Sequence, residues 1–407
     1  MSKSNVNYEE LKSYIPQNDN EENYALLTHY LMMNESNEKA NKRAELIKQF
    51  DFTDEAIQKA EKFFAKKKIP FKHKKTTSFT FIDLFAGIGG FRLAMQANGG
   101  ECVFSSEWDK AAKQTYYENY GEVPFGDITK REIKNMIPPN FNVLCAGFPC
   151  QPFSNAGLKK GIEDVRGTLF YEIAEILQEH HPEVVLLENV KGLISNDGGK
   201  TIQTILKTIT DLGYCCNISQ DLINNGSMSN LKSEAAKMVL CAKDFGVPQN
   251  RPRIYIVLWK RELNIDFFEY PYPTGQETHV ASILETNVSD SFTISDRLWE
   301  GHQRRKLRNS ANGKGFGYCS FTPDSPYTST ISRRYYKDGS EILIEQAGKN
   351  PRKLTPREAT NLQGYPQTFK IHPSNVEAYK QAGNSVAVPV VRCIADAIIS
   401  QILGDNR

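Results

Sequence analysis

In "GFPCQPFS" (147–154) a cysteine, Cys150, stands between Pro149 and Pro152. The prolines fix φ on both sides and remove two backbone donors, which holds the thiol in one place. Alone, the stretch suits a packed thiol in a stiff turn as well as a nucleophile. Other groups belong to the same reckoning. "LLENV" (186–190) ends an apolar run with Glu188 and Asn189, and "VPQNRPRIYIV" (247–257) sets Arg251 and Arg253 before another. A thiol, a carboxyl and two guanidiniums on one rim suit addition to a cytosine. Thiolate attack at C6 becomes feasible if N3 is protonated as the bond forms, and a desolvated Glu188 with a raised pKa could hold that proton. The fork of an arginine suits the base's O2, and nearby arginine would favour the thiolate. Addition makes C5 enamine-like, able to take a methyl from a sulfonium; a base then removes the C5 proton and Cys150 leaves. No histidine occupies these strand ends, so Cys–His protease chemistry is unsupported.

A second group of residues describes the methyl donor. "DLFAGIGGF" (83–91) reads as a strand, a glycine turn and a helix start, with Gly87, Gly89 and Gly90 letting the backbone approach a ligand. The full G-x-G-x-x-G fingerprint and a Walker lysine are both missing, which argues against phosphate binding and against a nicotinamide oxidoreductase. Twenty residues beyond Gly87 stands Glu107, suited to ribose hydroxyls, then Trp108, a flat face for an adenine. "FGDIT" (125–129), read as the next strand end, supplies Asp127 for an adenine amino group. Each piece alone has a bland reading: a tight turn, a solvated carboxylate, a packed ring. In register at successive strand ends they describe a nucleoside pocket without a phosphate clamp, which suits S-adenosyl-L-methionine.

These residues need a sheet to align them. Apolar runs at 79–85, 100–107, 141–147, 183–190 and 253–259 alternate with helix-length segments, the pattern of an α/β sheet of mostly parallel strands. Ligands of such sheets bind beyond the carboxyl ends of the strands. From 262 to 350 the alternation breaks into a Ser-, Thr-, Gly-, Arg- and Tyr-rich segment that reads as an irregular second domain, and helical character returns from 375. Residues 1–65 are polar and helical, with Thr53 as N-cap of 53–68, and read as a solvated appendage or a DNA-binding helical module. The 407 residues carry a formal net charge of +2, so nucleic-acid binding must come from local basic patches. Eight cysteines without C-x-x-C spacing point to a reducing, cytoplasmic compartment and no structural metal. The N-terminus lacks an apolar signal segment, and no apolar run approaches the ~18 residues of a membrane span.

"DLFAGIGGFR", "GDIT", "GFPCQPFS", "ENVKGL", "GVPQNRPRIYIV", "RKLTPREATNLQGYP" and "QAGNSVAVPV" occur in the order found in bacterial C5-cytosine DNA methyltransferases, and from about 78 to 403 the chain resembles that family. The resemblance implies a Rossmann-like S-adenosylmethionine-dependent α/β domain with helices on both faces, an inserted target-recognition domain and an N-terminal helical extension. Its implied boundaries are 1–75 for the extension, 76–261 plus 367–407 for catalysis and 262–366 for recognition. It makes Cys150 the nucleophile, Glu188 the N3 partner with Asn189 beside it, Arg253 a contact to the cytosine and Arg251 a support. Phe85, Ala86, Gly87, Gly89, Gly90, Glu107, Trp108, Asp127, Ile128, Leu169, Asn384 and Ser385 fall at family cofactor positions. The base would be flipped from the duplex, since stacked C5 and C6 are out of reach, and loop 153–168 would close over it. Ser154, Arg166, Arg304, Arg305, Lys306 and Arg308 suit DNA contacts, and Arg333 or Arg334 base reading. The recognition segment resembles enzymes acting on CCWGG or CCNGG sites. The expected partner is double-stranded DNA, methylated by a monomer and protected from a restriction endonuclease of the same site. Two rivals stand beside this: the same chemistry on tRNA, which the large basic insert disfavours, and an added regulatory role through residues 1–65. Residues 220–237 exceed the family's usual short loop and suggest a surface excursion.

Overall fold

The chain is described here by a computed structural model covering residues 7–17, 20–74, 76–149, 168–313 and 315–404. Cys150, Ser154, Arg166 and the loop from 153 to 167 lie outside the described residues. Two compact units emerge: Met1–Val239 with Arg253–Pro271 and Arg392–Arg407, and Leu240–Pro252 with Tyr272–Val391. This division differs from the boundaries expected from sequence: residues 7–74 group with the sheet, and 367–391 group with the insert.

The first unit carries helices α1 (Glu22–Met32), α2 (Asn37–Gln49) and α3 (Asp54–Phe64), then β1 (Phe79–Leu84), α4 (Gly90–Ala97), β2 (Gly100–Ser106), α5 (Lys110–Tyr120), the single turn α6 (Arg131–Lys134), β3 (Val143–Gly147), α7 (Leu169–His180), β4 (Val184–Val190), α8 (Lys200–Asp211) and β5 (Tyr214–Cys215). Then come α9 (Gln220–Asn225), α10 (Met228–Ala236), β6 (Val239–Cys241), at which the chain leaves this unit, and β7 (Pro252–Lys260). The strand order is β2-β1-β3-β4-β7-β5. β1 pairs in parallel with β2 and β3, and β3 with β4, while β7 runs antiparallel to both β4 and β5. The buried apolar runs that make these strands leave their polar residues at the carboxyl ends, as the sequence implies. "FGDIT" departs from expectation. It forms no strand, and only a Ser106–Phe125 bridge ties it to the end of β2. Residues 220–237 are two short helices, capped by Ser219 and Ser227 and tucked in through Ile223, Leu231 and Ala235.

The N-terminal helices are no tether. Thr53 caps α3 by accepting from the Ala56 amide, as the sequence implies. Yet Leu11, Leu26, Tyr30, Met32 and Ile57 share one apolar core with Phe104, Tyr117, Val123 and Phe125 of the sheet unit. The polarity of 1–65 is that of the outer faces; a narrow apolar stripe suffices to dock a helix. A buried charge cluster lies at this seam. Arg92 of α4 donates both guanidinium nitrogens to Glu122 at 2.7 Å, with side chains 0% and 3% exposed, and His29 of α1 lies 3.4 Å from the same carboxylate.

The second unit holds α11 (Asp296–Ala311), strands β8 (Ser320–Phe321), β9 (Leu343–Gln346) and β10 (Lys349–Lys353) in the order β10-β9-β8, then α12 (Pro356–Asn361), α13 (Asn375–Asn384) and the start of α14 (Val388–Ile398). It has its own core around Val280, Ile331, Tyr335, Ile344, Leu354 and Tyr379. The regular elements were hidden in the sequence because α11 buries only His302, so its pattern lacks an apolar period. Its ends are marked instead by Ser295, which accepts from the Leu298 amide. The stretch Asn375–Leu403 is long and apolar enough to cross a membrane by length and composition, contrary to the expectation from sequence. It breaks between α13 and α14, and 56% of its apolar window is buried in the protein, as for core helices.

Two stability predictions follow from the seam. Glu122→Ala strands the Arg92 guanidinium in the core and is expected to cost about 3–5 kcal/mol in urea unfolding. Burial pushes the His29 pKa below 6.5, outweighing the upward pull of Glu122, while Arg92 and Lys42 push it further down. As pH falls through about 6.5, the unfolded chain takes a proton that folded His29 refuses, so stability is lost down to the folded pKa and is unaffected above. Unfolding midpoints at about pH 8 and about pH 5.5 should differ less in His29→Gln than in the parent chain.

Candidate active site

The carboxyl end of β1 leads into a strained turn. Phe85 takes a left-handed φ of 56°, uncommon for a bulky residue and a mark of functional sites. Gly87 (φ 56°) and Gly89 (φ 82°) continue it. A Cβ at Gly87 would meet nothing among the described residues within 4 Å, so the glycine leaves an open cradle. A Cβ at Gly89 would lie 2.4 Å from the Tyr120 ring, whose hydroxyl donates to the Gly89 carbonyl at 2.7 Å. The Ala86 amide donates to the Ser106 carbonyl, and Gly90 begins α4. Buried Glu107 closes the turn: its carboxylate accepts from the amides of Gly87 and Asp109, both at 2.8 Å. Burial pushes its pKa up, and those amides hold the charged form against it. Each oxygen keeps acceptor capacity for a further hydroxyl.

Beside it, Trp108 is 77% exposed, a large apolar plane left to solvent. Asp127 accepts from the Thr129 amide at 3.0 Å, while Ile128 is a core residue. Leu169 begins α7 behind the Thr168 cap, and Phe170 packs on Phe148 at 5.8 Å. An open backbone cradle, a strand-end carboxylate and an uncovered indole fit an adenosine with a small sulfonium arm. Among the described residues, no group of three His, Cys, Asp or Glu is disposed to hold a metal.

The reactive end follows from strand register. Gly147, last in β3, pairs with Glu188 of β4, which pairs in turn with Tyr255 of β7. Arg253 of β7 forms an ion pair with Glu188, its Nε 3.1 Å from Oε1, with side chains 13% and 12% exposed. A Cβ at Gly147 would stand 3.4 Å from the Phe91 ring and 3.6 Å from Glu188 Oε2. Gly147 thus leaves a gap between the helix that follows the glycine turn and the carboxylate. Buried Asn189 donates to the Phe148 carbonyl at 2.9 Å and accepts from the Val190 amide. It anchors the chain two residues before Cys150. From sequence Asn189 counts among the catalytic candidates; its bond to Phe148, 41 residues away in the chain, has no local signal.

The remaining candidates belong to the second unit. Arg251 is buried, with its guanidinium donating to the carbonyls of Ile331, Gly383 and Ser385. It clamps the turn that holds Asn384 and Ser385, and Tyr365 meets the Ser385 hydroxyl at 2.8 Å. Gln249, fully buried, binds the Leu362 carbonyl and the Ile331 amide, a role that no apolar period signals. Of the basic set, Arg304 pairs with Glu300 on the surface, and Lys306 lies 4.3 Å over the Tyr318 ring. Arg305 departs from the expected phosphate contact. It is spent internally on the Gly317 carbonyl and Asp338, because Gly317 lets its loop close on α11. Arg308, Arg333 and Arg334 are exposed.

Comparison with known proteins shows the family. Residues 79–400 match the family model of C-5 cytosine-specific DNA methylases. The Type II methyltransferase M.SsoII of Shigella sonnei is 52% identical over 336 residues, covering 82% of this chain and 83% of that one. M.HhaI of Haemophilus parahaemolyticus is 40% identical over 346 residues, 82% of this chain and 98% of its own. Among solved structures, S. pombe Dnmt2 methyltransferase shares the fold, with a TM-score of 0.57 at 20% identity over 79% of this chain and 98% of that one. The chain belongs to the C-5 cytosine-specific DNA methylase family, whose members methylate cytosine in DNA at C5.

Proposed function

We propose that this methyltransferase acts on a cytosine flipped from a specific duplex site, with Cys150 as nucleophile and S-adenosyl-L-methionine as donor. The observation that carries the reading is the Glu188–Arg253 pair facing the Gly147 gap. The cofactor, when bound, supplies an electrophilic methyl. Phe85, Gly87, Glu107, Trp108, Asp127 and Leu169 bind and orient its nucleoside. Cys150 adds to C6 as Glu188 gives a proton to N3. Arg253 holds Glu188 and the base's O2. After C5 is methylated, a base removes the C5 proton, the thiolate leaves, and Glu188 recovers its proton. Asn189 fixes the carbonyl of Phe148 and so the start of the nucleophile's loop.

Residues 262–366 form the recognition region in this reading, with Lys306, Arg308, Arg333 and Arg334 on DNA, Ser154 and Arg166 beside the flipped base, and a site of the CCWGG or CCNGG type. The enzyme works as a monomer in the bacterial cytoplasm and shields DNA from a restriction endonuclease of the same specificity.

Cys150→Ala should abolish transfer of tritiated methyl to duplex DNA, and Glu188→Gln should lower kcat roughly 10²–10⁴-fold. Incorporation into tRNA alone would refute the DNA assignment, and normal activity of Cys150→Ala would refute the mechanism. Asn189→Ala leaves a buried carbonyl unsatisfied, which should cost about 1–3 kcal/mol in stability and, by loosening the loop start, lower kcat more than about tenfold.

A further inference from the structure

Outside the region matched by the family model, α1 is fastened to the segment beside β2 that carries part of the nucleoside site. Glu22, in its first turn, accepts from the Gly126 amide at 3.0 Å, next to Asp127. A Cβ at Gly126 would lie 2.6 Å from Glu22 Oε1, so the glycine is what lets the carboxylate approach. The Glu22 amide is held in turn by Asn20 Oδ1 at 3.0 Å. Nearly two turns on, Thr28 accepts from the Val123 amide at 2.9 Å, and the His29 ring packs 4.9 Å from that of Phe125. On its other side Phe125 joins β2, accepting from the Glu107 amide and donating to the Ser105 carbonyl, both at 2.8 Å. Segment 123–127 is thus gripped between α1 and the end of β2. Lys113 of α5, nearly fully buried, lies in the electrostatic field of Glu21, Glu22 and Glu107.

We propose that Glu22 is a positioning residue for the cofactor: it fixes the Gly126–Asp127 peptide beside the end of β2. The N-terminal helices are therefore part of the cofactor site and not an independent appendage. The inference rests on the S-adenosylmethionine reading above. A carboxylate half-sunk at a helix start needs compensation, and the Gly126 amide and the Lys113 charge supply it. Losing it frees the loop that bears Asp127 while leaving the core of α1, formed by Leu26, Leu27 and Tyr30, in place.

The test uses the full chain with S-adenosylmethionine and duplex DNA. A charge-assisted hydrogen bond of this kind predicts that Glu22→Ala weakens cofactor binding by titration calorimetry roughly 10-fold or more. KM for the cofactor should rise in parallel, with KM for DNA within about twofold and kcat at saturating cofactor largely kept. Glu22→Gln keeps an acceptor for Gly126 and should recover most of the affinity, while Glu55→Ala, on the exposed face of α3, should bind as the parent does. Unchanged cofactor affinity in Glu22→Ala would overturn the inference. So would a joint loss of melting temperature, DNA affinity and cofactor affinity, which is what a merely structural role gives. Failure of the parent chain to bind S-adenosylmethionine would overturn the cofactor reading itself, and this inference with it.

Discussion

The reactive end depends on the register of β3 against β4. Because Gly147 falls opposite Glu188, β3 sets no Cβ against the carboxylate, and Arg253 reaches it from β7. A shift of one residue would turn Glu188 to the other face of the sheet and set Asn189 in its place. The same register carries Phe148 onto Asn189, which ties the chain entering the Cys150 loop to the strand that bears the carboxylate. Val184–Leu187 on one strand and Val143–Ala146 on the other are buried on both faces of the sheet, so a slip would have to repack both sides at once.

The methyl-donor end is built differently, from backbone conformation. Phe85 holds a left-handed dihedral that costs free energy, Gly87 and Gly89 take theirs without that cost, and Tyr120 and Glu107 grip the turn from both sides. Glu107 serves as clasp and as ligand candidate together. Its burial raises the cost of its charge, and the Gly87 and Asp109 amides offset that cost without filling its acceptor capacity. The two ends meet at Phe91, which follows the turn and borders the Gly147 gap.

Much of this was legible in the sequence. Strands at 79–84, 100–106, 143–147, 184–190 and 252–260 follow from apolar runs ending in polar residues, and the order of motifs identified the family. What the sequence hid has common physical causes. Asn189, Gln249 and Arg251 act through hydrogen bonds to carbonyls distant in sequence, and no periodicity encodes such partners. Arg305 reads as a phosphate contact only until the Gly317 loop is seen to consume it. Helix α11 escaped notice because it buries a single residue. The docking of α1–α3 was masked by charged outer faces, although Leu26, Leu27, Tyr30 and Leu31 supply an apolar face.

The central claim is that the Glu188–Gly147 register serves a covalent step at Cys150. The most direct measurement is mass spectrometry of the chain incubated with S-adenosylmethionine and duplex DNA carrying 5-fluorocytosine at the target position. Fluorine replaces the C5 proton whose removal releases the enzyme, so the adduct cannot break down. The account predicts one stable protein–DNA adduct, mapped to the peptide that contains Cys150. Methyl transfer to ordinary DNA with no adduct on the fluorinated duplex, or an adduct on another cysteine, would contradict it.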